Sequence, residues 1–215
     1  MGAFVLVLAV LMTLLASGGA TGSNAERCTR LWTQSQVRER MITGHGDRVV
    51  VIGDSYSVGL GLRDPMTSWP SRLPGRVHVY GYSGSGFSAR ASSCPHVEYD
   101  DREPQALQSG AGLVVVEGGL NDFDQPASAL RSGFRTLIGQ LAGRRVLIVG
   151  PPAAPARAAA ARRVDAVLRQ ETARAGVPYV AMTGYRFSYL QDRLHLTPAG
   201  HRDFGTIVAK AIKGY

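Results

Sequence analysis

The sequence predicts an α/β protein built on a parallel sheet covered on both faces. Three observations carry that expectation. Val49–Ile52, Leu113–Val116 and Val146–Val149 are continuous runs of apolar, mostly β-branched residues, the pattern of strands buried on both sides. Between the later strands, apolar residues recur at helical spacing, as in Ala129, Leu130, Phe134, Leu137, Ile138 and Leu141. Each strand run is closed by glycine (Gly53, Gly118, Gly150), and strands alternate with helices through the rest of the chain, the mark of a parallel sheet with helical crossovers.

The chain has 215 residues, enough for one domain with a sizeable core. Residues 3–16 form an uncharged apolar run, short of the about 20 residues a membrane-spanning helix needs. The small residues Ala16-Ser17-Gly18-Gly19-Ala20 follow it, so residues 1–25 read as a signal peptide, with an N-terminal anchor as the alternative. Residues 26–46 read as an N-terminal arm with one short helix around Leu31–Met41, broken at Gly44-His45-Gly46-Asp47. The domain proper is expected over 47–215. Its elements are a first strand Val49–Ile52, a helix from about Ser57, a second strand Val77–Tyr80 and a glycine-rich turn, Gly81-Tyr82-Ser83-Gly84-Ser85-Gly86-Phe87. Residues 88–104 give no clear reading. The third strand Leu113–Glu117, a helix over 127–142 and the fourth strand Val146–Val149 come next. An Ala- and Arg-rich helix over 156–175 follows, its arginines, Arg157 among them, read as a solvated face and Gly176 as its C-cap. A short fifth strand, Pro178–Met182, precedes a last helix that starts at Thr197-Pro198, a capping hydroxyl followed by proline at the first helical position.

Composition narrows the function. Apolar residues are 45% of the chain, which excludes global disorder. The net charge of +8 fits association with an anionic envelope surface. The arginines are scattered and not interleaved with aromatics, so nucleic acid is not expected as a partner. Cys28 and Cys94 are the only cysteines; in an exported protein an even count suggests a disulfide, worth roughly 4 kcal/mol in the chain-entropy model. They do not make a zinc site, and His195 and His201 lack the spacing of a metal pair on one helix face. Gly84-Ser85-Gly86-Phe87-Ser88-Ala89 fits the loose G-x-G-x-x-A nucleotide pattern, but the next strand ends at Glu117, too far on for its acidic partner.

Four polar features lie at strand ends or just before the last helix: Ser55, Gly84, Asn121, and Asp192-Arg193-Leu194-His195. In a parallel sheet the carboxyl ends of the strands share one edge, where ligands bind. A serine hydroxyl is a weak nucleophile and needs a base to take its proton, for which His195 is the candidate. An orienting acid must hold that imidazole, and Asp192, three residues earlier, can fold back onto it. Attack on an ester carbonyl develops an oxyanion, for which the backbone N–H of Ser55, the backbone N–H of Gly84 and the side-chain amide of Asn121 are suitable donors. Gly86 is an alternative to Gly84. Tyr56, Phe87, Phe123 and Tyr189 are candidates to line an acyl or sugar pocket, with core packing as the alternative.

These features resemble the conserved blocks of the SGNH (GDSL) hydrolase superfamily: Gly53-Asp54-Ser55, the glycine of Tyr82-Ser83-Gly84, Gly119-Leu120-Asn121-Asp122, and Asp192-Arg193-Leu194-His195 followed by Leu196-Thr197-Pro198. The resemblance spans residues 47–213. It implies a flavodoxin-like three-layer α/β/α sandwich with a five-stranded parallel sheet. It also implies Ser55 as nucleophile, His195 as base, Asp192 as orienter, an oxyanion hole completed by Gly84 and Asn121, and no cofactor or metal. The expected activity is hydrolysis of acyl esters by an exported enzyme acting on cell-envelope carbohydrate or glycolipid. Acyl transfer by the same triad, and an inactive cell-surface binding module, are the alternatives.

Overall fold

The computed structural model of the protein describes residues 22–214. The apolar run 3–16 and the small-residue stretch after it lie outside the described residues. No helix among those described is long and apolar enough to cross a membrane.

Five parallel strands form one sheet: β1 (Arg48–Gly53), β2 (Arg76–Gly81), β3 (Leu113–Glu117), β4 (Val146–Val149) and β5 (Tyr179–Val180), in the order β2-β1-β3-β4-β5. The helices are α1 (22–39), α2 (Ser55–Val58), α3 (Tyr99–Leu107), α4 (Ala127–Gln140), α5 (Ala158–Ala175) and α6 (Pro198–Lys213). This is the flavodoxin-like α/β/α sandwich. Strand order reverses between β1 and β3, and in open α/β sheets the crevice outside the carboxyl ends at such a reversal is where ligands bind. Ser55 follows β1 and Asn121 follows β3, so the topology alone brings them together.

Burial on both faces explains the uninterrupted apolar strands. Val49 and Val51 pack on one face with Trp69, Leu73, Phe204 and Val208, under α6. Val50 and Ile52 pack on the other with Tyr99, Phe134, Leu137 and Leu168, under α3, α4 and α5. At roughly 1.5–3 kcal/mol for each fully buried large apolar side chain, these two layers are what hold the sheet flanked. The last helix begins as its sequence predicts: Thr197 Oγ1 accepts from Gly200 N–H at 3.1 Å, with Pro198 behind it.

Three regions differ from the sequence reading. The N-terminal helix spans 22–39, so it starts earlier than the periodicity around Leu31–Met41 indicates. Its first turns are held from outside: Cys28 is disulfide-bonded to Cys94, and Arg27 Nη1 donates to Ser93 Oγ at 2.8 Å. Farther along, Ser35 Oγ donates to Gly81 O at 2.6 Å and Trp32 packs on Tyr82 with centroids 5.9 Å apart, which seats α1 at the carboxyl end of β2. The stretch 88–104, without a clear sequence reading, contains the start of α3, whose internal Pro104 and acidic first turn mask its helical pattern. The helix after β1 is a single turn that begins at Ser55 itself, ended by Gly59 in the left-handed region at φ 85°.

Candidate active site

The sharp bend from β1 into α2 presents Ser55. Asp54 caps the turn, its Oδ1 accepting from Tyr56 N–H at 2.9 Å. Gly53 is required by packing: a Cβ there would collide with Ser57 Oγ, which donates to the buried Glu117 carboxylate at 2.7 Å. Burial, and then the neighbouring Asp54 charge, push the Glu117 carboxyl well above the usual range. Ser55 O accepts from Gly59 and Leu60 N–H at 3.0 Å, which fixes the backbone of the expected nucleophile.

The loop before α6 builds the second half of the site. Asp192 Oδ2 meets His195 Nδ1 at 2.6 Å. The other carboxylate oxygen, Oδ1, accepts the backbone N–H groups of Leu194 and His195, each at 2.9 Å. Desolvation opposes ionisation of Asp192, but these three hydrogen bonds and the His195 charge outweigh it and hold the carboxyl at about 2. The turn is tight enough to force Arg193 to φ 58°, a left-handed conformation costing a non-glycine residue about 1–2 kcal/mol. It is held by Leu190 N–H on His195 O at 2.8 Å and by Ala156 N–H on Arg193 O at 3.0 Å. Asp192 bonded to Nδ1 leaves Nε2 to face a substrate or nucleophile. No hydrogen bond from Ser55 Oγ to His195 forms among the described residues; in sites without substrate this contact is often long.

Tyr56 joins the two halves. Its O–H donates to Leu194 O at 2.5 Å, and its ring lies 6.4 Å from the His195 ring. Tyr56 is 1% exposed, so its ring packs against His195 from below and does not line a pocket. Phe87 is likewise core, edge-on to Tyr99 at 4.8 Å between centroids and packed on Phe134. Its position after a glycine-rich turn suggests a pocket, but the turn folds the ring inward. Phe123 is half-buried beneath the Arg157 guanidinium, 4.0 Å from its ring centroid, and Tyr189 is half-buried in an antiparallel bridge with Leu196.

The glycine-rich turn and the β3 end carry the donors expected from the sequence, Gly84 and Asn121. Gly84 has φ 90° and open space where a Cβ would stand, whereas a Cβ on Gly86 would collide with Asp122 and Ala91. Gly84 is thus the glycine that conformation requires, and Gly86 the one that packing requires. The Asn121 amide donates to Ser85 O at 2.9 Å and to Asp54 Oδ2 at 3.2 Å. Burial pushes Asp54 up to about 6, against its bond from Tyr56 N–H and the His195 and Arg157 charges.

Three residues that sequence reasoning missed hold this arrangement. Asp122 is buried and accepts from Phe87 N–H at 3.1 Å, from Ser88 N–H at 2.8 Å and from the Ser88 hydroxyl, locking the glycine-rich turn to the β3 end. Arg102, from α3, is buried and donates to Gly53 O and Ser85 Oγ at 3.0 Å, to Val97 O at 2.9 Å and to Tyr80 O. Burial lowers its guanidinium to about 10. Arg157 is not on a solvated face: it lies half-buried just before α5, donating to Leu120 O and Asn121 Oδ1 at 3.0 Å. The position of Asp122 beside Asn121 was its only sequence signal; the two arginines carried none.

Behind the site, His201 is 1% exposed, and its Nδ1 accepts from Trp69 N–H at 3.3 Å. Burial, and then the His195 charge, lower its pKa from 6.5 to about 4. The unfolded chain therefore takes up a proton that the folded chain refuses, and this ring's contribution to stability falls as pH drops from 6.5 to about 4. The full loss is about 3 kcal/mol. His201→Gln is expected to lose less unfolding free energy than the wild type between pH 7 and 4.5 in urea titrations; equal losses would exclude His201 as the source. An apolar groove of about 280 Å³ between α1 and residues 58–65 lies beside this site, touching it through Leu60.

Comparison with known proteins bears on the family and the fold. The GDSL-like Lipase/Acylhydrolase family model matches residues 51–202. No curated protein matches the chain. Among solved structures, Est24, a carbohydrate acetylesterase from Sinorhizobium meliloti, is 18% identical, with 79% of this chain and 99% of that one covered, at a TM-score of 0.67. An aryl esterase from M. smegmatis is 20% identical, with 79% and 99% covered, at 0.65. An extracellular lipase from Streptomyces rimosus is 18% identical, with 77% and 100% covered, at 0.57. At these identities the likeness to the solved structures is one of fold.

Proposed function

The chain belongs to the GDSL-like lipase/acylhydrolase family and is a carboxylic ester hydrolase, and on that premise we propose that Ser55, His195 and Asp192 form its catalytic triad, acting on acyl esters of cell-envelope carbohydrate or glycolipid. The observation that carries the assignment is the closed Asp192–His195 turn, 2.6 Å between Oδ2 and Nδ1, tied through Leu194 O to the hydroxyl of Tyr56, the residue next to Ser55.

Ser55 Oγ attacks the acyl carbon while His195 Nε2 takes its proton, and the carbonyl oxygen becomes an oxyanion. Ser55 N–H, Gly84 N–H and Asn121 Nδ2 receive that charge, each donor contributing roughly 2.7–4 kcal/mol to lowering the barrier. Both Asn121 amide hydrogens are engaged in the resting site, and the longer bond, to Asp54, is the one that yields to the oxyanion. The tetrahedral intermediate collapses, the alcohol leaves with the proton from His195, and the acyl-enzyme forms. Water deprotonated by His195 then attacks the acyl carbon and releases the acid.

The substrate class rests on location and charge. The apolar leader and the Cys28–Cys94 disulfide support export, and the net charge of +8 supports retention at an anionic envelope. The test is a panel of acetylated, succinylated and longer-acyl sugars and lipids offered to the purified protein, with and without free acceptor sugar. Acylated sugars or glycolipids are expected to show the highest kcat/KM, with free acid as product. A preference for simple lipid esters would overturn the substrate class, and acyl sugar formed only when acceptor is present would overturn hydrolysis in favour of transfer.

A further inference from the structure

We infer that Arg157 is a positioning residue for the oxyanion hole: it fixes and polarises the Asn121 amide, and so sets the rate of acyl transfer to Ser55 and not the affinity for substrate. The inference rests on the assignment of Asn121 as an oxyanion donor made above.

The geometry around the Asn121 side chain is complete on all sides. Its nitrogen donates to Ser85 O and Asp54 Oδ2, and its oxygen accepts Arg157 Nη1 at 3.0 Å. With two acceptors on one end and a cation on the other, the amide has a single favourable orientation. Arg157 is itself constrained. The same Nη1 donates to Leu120 O at 3.0 Å, the guanidinium lies over the Phe123 ring at 4.0 Å, and the next residue starts α5. Leu120, Asn121 and Phe123 all belong to the turn that ends β3, so one cation clamps that turn from outside. Ala156, the preceding residue, donates its N–H to Arg193 O in the Asp192–His195 turn. The 156–157 segment therefore touches both the base loop and the oxyanion turn.

Chemistry gives the clamp a second effect. A charge-assisted hydrogen bond to an amide oxygen draws electron density from its nitrogen and strengthens the N–H groups as donors. Asp54 places a carboxylate against the same amide, a charge that opposes an oxyanion nearby, and Arg157 offsets it. A lysine here would keep the charge and a nitrogen with hydrogens for Leu120 O and Asn121 Oδ1, but not the planar guanidinium that stacks on Phe123 and fixes where that nitrogen points.

The test is a double-mutant cycle on a short-chain aryl ester, with active sites counted by a fluorophosphonate label and folding followed by thermal unfolding. Arg157→Ala is expected to lower kcat by about tenfold or more with KM within about twofold, and Arg157→Lys to recover part of the loss. In an Asn121→Ala background, the Arg157→Ala change is expected to alter kcat by less than about twofold, because the group it acts through is gone. Equal losses in both backgrounds, or a loss carried by KM, would overturn the inference and leave the oxyanion assignment standing. Wild-type kcat in Asn121→Ala alone would overturn that assignment and this inference with it. Should Arg157→Ala fail to fold, Arg157→Gln, which keeps a donor, carries the same cycle.

Discussion

Ser55→Ala is expected to lower kcat on every cleaved ester by about 10⁴-fold or more, with the unfolding transition left in place. The change removes one hydroxyl from a residue whose structural work is done by its backbone, through Ser55 O and the N–H groups of Gly59 and Leu60. Asp54 still caps α2, and Gly53, Ser57 and Glu117 still pack beneath it. The two neighbouring serines are already engaged: Ser57 is turned inward onto Glu117, and Ser85 donates to Tyr82 O at 2.8 Å. The measurement is steady-state cleavage of a short-chain aryl ester, paired with fluorophosphonate labelling. Residual activity comparable to the wild type, or a label that persists in the variant, would sink the mechanism.

Asp192→Ala is expected to reduce kcat by about 10³- to 10⁴-fold, less than loss of the nucleophile, because the base remains but loses its orientation. Asp192 does two jobs at once. One oxygen fixes the His195 ring, and the other fixes the turn through Leu194 and His195 N–H. Asp192→Asn keeps the size and one acceptor, so it separates orientation of the ring from folding of the turn. The sign of the pH effect follows from the carboxyl held at about 2. Its hydrogen bonds contribute stability above the ordinary carboxylate range, near 3.8, and lose it as pH falls through about 2. Asp192 thus stays ionised throughout the range in which the enzyme is assayed. No limb of kcat/KM is expected near pH 2 to 4 from Asp192 when activity is referred to folded protein, and a limb centred there that vanishes in Asp192→Asn would contradict this.

The frame of the fold was legible because its cause is local. A strand buried on both faces must be apolar at every position, and Val49–Ile52 and Leu113–Val116 say so directly. The meeting of Ser55 and Asn121 was legible because strand ends in a parallel sheet converge by construction, and the Asp192–His195 contact because three residues of one loop separate them. What stayed hidden depends on partners distant in sequence. Nothing near Arg157 announces that it reaches Asn121, 36 positions away, and an arginine in an Ala-rich helical stretch reads as solvated. Tyr56 and Phe87 sit beside motif residues, yet burial makes one a strut and the other core. α3 was obscured by its own composition, with Pro104 inside and Asp100 and Asp101 in the first turn.

The bond from the Tyr56 hydroxyl to Leu194 O spans 138 positions, and it has a kinetic side. Closing so long a loop is entropically late, and sheets assembled through parallel crossovers order slowly. A chain in which β1 has paired with β2 and β3 while the 190–196 segment is undocked would hold the Ser55 turn without His195. Such a species is built like the enzyme over most of its sheet and is inert. The proposed triad is therefore complete only when the C-terminal segment is docked on the sheet, because Ser55 and His195 come from opposite ends of the domain.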